Sequence, residues 1–304
     1  MINVMLLLIG FAMLIKGADI FVASSSSVAK RFGIPSIIIG MTIVAMGTSA
    51  PELSVSINSS VVGLNDMSIA NVVGSNIFNI LMVLGVSSLF NKLKINNYQD
   101  VYILLGASIL LLLCTIDGNI SILNGITLLI VFIYFIYDMI QNAKEKDNNE
   151  IIKSSNKPLW LTIILGLLGL GAIIWGGDLV VDSASAIAMQ LGMSENLVGL
   201  TIVAVGTSLP ELVTSVIATK KGELEIAIGN VIGSNIFNIL LILGAASVIS
   251  PIAVTSIAIL DIIIMISITY IFILATRKNQ EVDKKLGIVL ILIYIIYIIS
   301  TIIR

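Results

Sequence analysis

GTSAPELSVS at 47–56 and GTSLPELVTS at 206–215 are near-copies of one polar phrase, each set inside apolar sequence long enough to cross a membrane. Each is answered downstream by the same word, GSNIFNIL, at 74–81 and again at 233–240. An ionised side chain in hydrocarbon costs about 2.5–3.5 kcal/mol on insertion scales. A carboxylate beside a proline and a Thr–Ser pair, placed once in each half, therefore points to a bound cation.

Outward from these words, the chain is a repeat. The shift that carries Glu52 onto Glu211 aligns 40–85 on 199–244 without a gap, with about half the positions identical. Gly17 and Asp19 fall on Gly176 and Asp178, so the repeat begins in the first apolar run. Runs of bilayer length predict ten spans, at 2–29, 33–60, 67–90, 100–116, 119–140, 158–189, 195–219, 224–249, 260–276 and 286–303. The fold expected is an all-α membrane protein of two five-helix repeats, 1–140 and 158–304, joined by the polar linker 141–157. Because each block has an odd number of spans, the second enters the membrane with opposite polarity, which makes the repeat inverted in space.

Composition agrees. Of 304 residues, 58% are hydrophobic and only 11% charged, more apolar surface than one soluble core of this size hides. The apolar runs are continuous rather than alternating, which excludes a β-barrel reading. The opening run from Ile2 has neither a basic start nor an A-x-A-like site and is read as the first span. There is no histidine, so zinc-type His clusters and His proton relays are excluded, and the lone Cys114 is read as packing. No nucleophile–base pair is evident, so no enzyme is expected. A net charge of −2 says nothing about partners.

Lys30, Arg31, Lys92, Lys94, the lysines of 141–157, Lys220, Lys221, Arg277, Lys278, Lys284 and Lys285 fall on one side of the predicted topology. Loops 61–66, 117–119 and 190–194 on the other side carry neither Lys nor Arg. The positive-inside rule then puts both termini outside and the 141–157 linker in the cytoplasm of a multi-pass cell-membrane protein.

Pro51 lacks an N–H and its ring crowds the carbonyl four residues back, so a helix must bend or break there. The expectation is that carbonyls near Ala45, Gly47 and Thr48 lose regular partners, and such groups persist in a bilayer only where they line a cavity or meet a ligand. Glu52 follows the break, and Thr48 and Ser49 add hydroxyls. This all-oxygen set suits hard cations such as calcium or sodium. Ala204, Thr207, Ser208, Pro210 and Glu211 repeat it. Two carboxylates neutralise one divalent ion, or hold three monovalent ions with one positive charge left over. Ser75 and Asn79, like Ser234 and Asn238, stand four apart on one helix face and aim oxygens at the same cavity. Gly74 and Gly233 allow close helix approach, and Asn76 and Asn235 are placed to bond across helices. Lys16 and Asp19 read as an i,i+3 pair or as water-facing. Asp178 and Asp182 form a polar face of the sixth span, and Asp138 and Asp261 read as interfacial.

The GTSAPE, GTSLPE and paired GSNIFNI words resemble the two α-repeats of the cation/calcium antiporter superfamily, specifically its sodium/calcium exchanger branch, over essentially the whole chain. The compact prokaryotic type, with ten spans and no calcium-sensing domain, is the closest resemblance. It implies that Ala45 and Ala204 (through carbonyls), Thr48, Ser49, Glu52, Ser75, Asn79, Thr207, Ser208, Glu211, Ser234 and Asn238 ligate ions. Glu52, Glu211 and the Thr48 and Thr207 carbonyls would form the calcium site, flanked by sodium sites. Asn238 stands where potassium-dependent relatives carry Asp, which implies potassium independence. The implied function is a sodium/calcium antiporter working by alternating access, the first and sixth spans sliding, with calcium and sodium ions and the lipid bilayer as partners. No prosthetic group and no nucleic acid are implied, and a monomer suffices. A proton/calcium antiporter is the alternative, although that branch carries a different acidic motif.

Overall fold

Among the described residues, the elements are helical apart from four two-residue strands. The computed structural model describes residues 2–63, 65–145, 158–193, 198, 202 and 204–303. Its helices are α1 (Ile2–Phe32), α2 (Ser36–Thr48), α3 (Ala50–Val61), α4 (Asn65–Phe78, continuing through Leu84–Ser88), α5 (Gln99–Cys114) and α6 (Ile122–Glu145). After the linker come α7 (Leu159–Gln190), α8 (Ala204–Gly206), α9 (Leu209–Lys220), α10 (Leu224–Phe237, continuing through Leu243–Ile249), α11 (Ser256–Arg277) and α12 (Lys284–Ile303).

Among the described residues, seven helices are long and apolar enough to cross a membrane, and eight if the bent pair α2–α3 is one span. α5, with 16 residues, falls below that length. The span expected at 195–219 is described continuously only from Ala204, its start lying outside the described residues. The helix α6 runs to Glu145, into what reads as linker in the sequence; 146–157 are outside the described residues.

The bend between α2 and α3 is 49°. Pro51 lies in the first turn of α3, where a missing N–H costs nothing. Pro210 opens α9 in the same way. Each break is thus a clean restart rather than an unwound stretch, and this corrects one expectation. The Ala45 carbonyl is not freed: it accepts the Ser49 N–H at 3.0 Å, and the Thr48 hydroxyl lies 3.4 Å away.

The two helices bearing the GSN words are the buried centre. In α10, 94% of the most apolar stretch is buried and in α4 72%, against 17% in α12. Both pass through a π-helical turn that starts at the asparagine of the word, Asn79–Val83 and Asn238–Ile242. Such single wide turns recur at functional positions.

The long helices α1 and α7 cross at glycines. A Cβ on Gly17 would lie 2.7 Å from the Gly169 carbonyl oxygen, and one on Gly10 2.9 Å from that of Gly176. A Cβ on Gly233 would sit 2.5 Å from Met41 Cα, as close approach requires, whereas nothing among the described residues comes within 4 Å of such an atom on Gly74. Asp19 does not pair with Lys16; Lys221 takes it at 2.9 Å. Lys30 meets Glu223 at 2.8 Å, so the turn at Gly222 (φ +79°) is tied twice to α1. The short strands clip loops together: β1 (Leu93–Lys94) pairs with β4 (Glu281–Val282) and β2 (Asn119–Ile120) with β3 (Ile252–Ala253), both antiparallel.

Candidate cation-binding site

Bending at Ser49 aims the start of α3 inward and buries Glu52 completely; the break at Ser208 does the same for Glu211. Thr48, Ser49, Ser208, Asn79, Ser234 and Asn238 are also fully buried, Ala45 is buried at the head of the α2 break, and Ser75 is 2% exposed. Thr207 is half-buried, and Ala204 begins the short helix α8. The residues singled out in the two words of each half therefore meet at one place, except that the surroundings of Ala204 are not described.

Their hydrogen bonds cross between the halves. Ser49 donates to Glu211 Oε1 at 2.9 Å, and Ser208 Oγ lies 3.1 Å from Glu52 Oε1 and 2.9 Å from Ser75 Oγ. Ser75 and Ser234 approach the carboxylate of their own half at 3.4 and 3.5 Å. Asn76 donates to the Asn235 carbonyl at 3.1 Å and Asn235 returns the same bond to Asn76. Asn79 Nδ2 reaches Asn235 Oδ1, and Asn238 Nδ2 reaches Asn76 Oδ1, both at 3.0 Å. Except for the Ser208–Ser75 contact, each of these bonds has its counterpart under the sequence shift.

Four buried oxygens are left over. Glu52 Oε2, Glu211 Oε2, Asn79 Oδ1 and Asn238 Oδ1 have no hydrogen-bond partner among the described residues. Unpaired buried acceptors are costly, and all four are acceptors. Only positive charge or a donor satisfies them. Among the described residues no three His, Cys, Asp or Glu side chains gather closely enough to hold a metal ion, so the chemistry here is that of two carboxylates with neutral oxygens. That donor set fits a desolvated hard cation and has no soft ligand for a transition metal.

Two residues absent from the sequence-derived set complete the network. Asn71 Nδ2 donates to the Glu52 carbonyl at 3.2 Å and to Ser56 Oγ at 3.0 Å. Asn230 makes the same pair of bonds to the Glu211 carbonyl at 3.4 Å and Ser215 Oγ at 2.9 Å. Their signal was in the sequence: 71, 75 and 79, and 230, 234 and 238, step by four along one face.

A small cavity of about 150 Å³ reaches this region, lined by Pro51, Pro210, Thr207, Gly177, Asp178 and Asp182 among others. The two aspartates of α7 are exposed along its wall.

Comparison with known proteins carries the same message. The family model described as sodium/calcium exchanger protein matches residues 2–141 and 160–303. The chain is 35% identical to the putative antiporter CaxA of Alkalimonas amylolytica, covering 95% of each protein. It is 32% identical to the sodium/calcium exchanger MaX1 of Methanosarcina acetivorans, covering 98% of each. A solved structure of the sodium-calcium exchanger NCX_Mj, soaked with 2.5 mM Na+ and 0.1 mM Sr2+, superposes with a TM-score of 0.88 at 32% identity over 98% of each chain. The protein is therefore a multi-pass membrane member of the sodium/calcium exchanger family.

Proposed function

We propose that this protein is a secondary antiporter that exchanges sodium for calcium, the two ions competing for Glu52 and Glu211. The observation that carries this reading is the set of four unpartnered buried acceptors, Glu52 Oε2, Glu211 Oε2, Asn79 Oδ1 and Asn238 Oδ1, held between crossed serine hydroxyls. One calcium ion, or several sodium ions, neutralises the two carboxylates. An empty site leaves two like charges close together in low dielectric, a cost that disfavours switching when unloaded and so favours exchange over leak.

The ligand set is Ala45 and Ala204 through carbonyls, Thr48, Ser49, Glu52, Ser75, Asn79, Thr207, Ser208, Glu211, Ser234 and Asn238. The architecture is ten spans in two inverted five-helix repeats, 1–140 and 158–304, with both termini outside and the 141–157 linker in the cytoplasm. The counterpart contacts made under one sequence shift support it. Alternating access comes from movement of α1 and α7, which approach each other closely at their glycines. At three sodium ions per calcium the cycle moves one net charge, and 100 mV of membrane potential contributes about 2.3 kcal/mol. With Asn rather than Asp at 238 the site needs no potassium, and a monomer performs the cycle without enzymatic chemistry.

The test is uptake of radiolabelled calcium into proteoliposomes under a sodium gradient, with the voltage free or clamped. Sodium-driven, voltage-sensitive uptake is expected. Uptake driven by a pH gradient without sodium would replace this reading with the proton/calcium one.

A further inference from the structure

Each helix break is pinned by an asparagine that bonds to both halves of the chain. Besides donating to the Glu211 carbonyl and Ser215, the fully buried Asn230 presents Oδ1 to the Thr48 hydroxyl at 3.0 Å. Asn71 donates to the Glu52 carbonyl and Ser56, and its Oδ1 stands 3.5 Å from the Thr207 hydroxyl. One planar amide thus grips the backbone just after the proline of its own half and the threonine just before the proline of the other.

We infer that Asn71 and Asn230 are positioning residues that couple the two helix breaks, fixing the threonine hydroxyls so that the Thr48 and Thr207 main-chain carbonyls, rather than the hydroxyls, are turned toward the ion. The inference rests on the antiporter reading for its ion and on the hydrogen bonds alone for the coupling. A hydroxyl has one proton. For Thr48 the alternative acceptors are the Val44 carbonyl at 3.1 Å and the Ala45 carbonyl at 3.4 Å, in its own helix, and the Glu211 carboxylate in the other half; the Asn230 bond, at 3.0 Å, ties the hydroxyl to the same second break that Glu211 follows. The two links are unequal. The Thr48–Asn230 bond is short and lies between fully buried residues, while Thr207 and Asn71 are half-buried and Thr207 lines the 150 Å³ cavity. The coupling is tight on the enclosed side and slack on the side the cavity reaches, so the Asn230 link carries the larger share of it in this conformation.

A double-mutant cycle separates coupling from direct ligation. Thr48→Val removes the hydroxyl and keeps the carbonyl; Asn230→Ala removes the amide. Equilibrium binding of radiolabelled calcium to purified protein should weaken about tenfold for each, the equivalent of one buried group left unpaired. The double variant should be no weaker than Asn230→Ala alone, and Thr48→Ser, which keeps the hydroxyl, should recover most of the affinity that Thr48→Val loses. Effects that multiply would overturn the inference and make the Thr48 hydroxyl an ion ligand itself. The same cycle read as unfolding temperature of ion-free protein should also be non-additive, and additivity there overturns the coupling. That arm keeps its meaning if the wild-type protein binds no calcium, a result that would defeat the antiporter reading alone.

Discussion

Ser49 donates its hydroxyl to Glu211 Oε1 at 2.9 Å, across 162 residues of sequence. A residue of the first break therefore positions the carboxylate of the second, and Ser208 faces Glu52 in return. Ser49→Ala should weaken calcium binding by roughly tenfold to a hundredfold, since a hydrogen bond to a charged group is worth roughly 1.5–3 kcal/mol and its loss leaves Glu211 Oε1 with the long Ser234 contact. Calcium titration of the purified variant measures this, and an unchanged affinity would mean that the crossed serines only pack.

Glu52→Gln and Glu211→Gln keep the size and the serine contacts of the side chains while removing charge. Both should abolish sodium-driven calcium flux, and both should retain a cooperative thermal unfolding transition. Flux at the wild-type level in both variants would rule out the carboxylates as the ion site.

The glycines of α1 and α7 are not equivalent to glycines elsewhere on the same helices. Gly17→Val puts branched atoms into the Gly169 backbone, 2.7 Å from its oxygen, and should cost roughly 1–3 kcal/mol of stability as overpacking does. Gly171→Ala, with nothing within 4 Å, should be neutral or stabilising. Thermal unfolding of the two variants side by side decides it; equal effects would mean that α1 and α7 do not depend on close approach.

Asn238→Asp adds a third negative charge where Asn238 Oδ1 has no partner. One calcium ion then no longer neutralises the site, and a further proton or monovalent cation must join it. Calcium uptake by this variant should respond to added potassium or to acid where the wild type responds to neither; an unaltered profile would place Asn238 outside the ion's reach.

Much of this was legible because a membrane protein advertises its polar interior. Glu52 and Glu211 are conspicuous against hydrocarbon, Pro51 and Pro210 announce the breaks, and the duplicated words say that the two sites face each other. Other features had no such signal. The π turns at Asn79–Val83 and Asn238–Ile242 depend on helix packing rather than on any residue type that widens a turn. The two-residue ladders join loops far apart in sequence and are too short to leave an alternating pattern. Asn71 and Asn230 did carry a signal, the step of four ahead of Ser75 and Ser234, but as neutral residues just before the repeated GSN word they do not stand out as the carboxylates do. Of the two readings of Lys16 and Asp19, the i,i+3 pair gives way because the turn at Gly222 brings Lys221 to Asp19 from the other half of the chain, while Lys16 is exposed.

The central claim is that two carboxylates from opposite halves hold one calcium ion in competition with sodium. Equilibrium binding of radiolabelled calcium to the purified protein, with sodium as competitor, tests it most directly. The account predicts one calcium per chain, displaced steeply by sodium and lost in either Glu52→Gln or Glu211→Gln. Binding that survives either substitution, or that sodium leaves untouched, would contradict it.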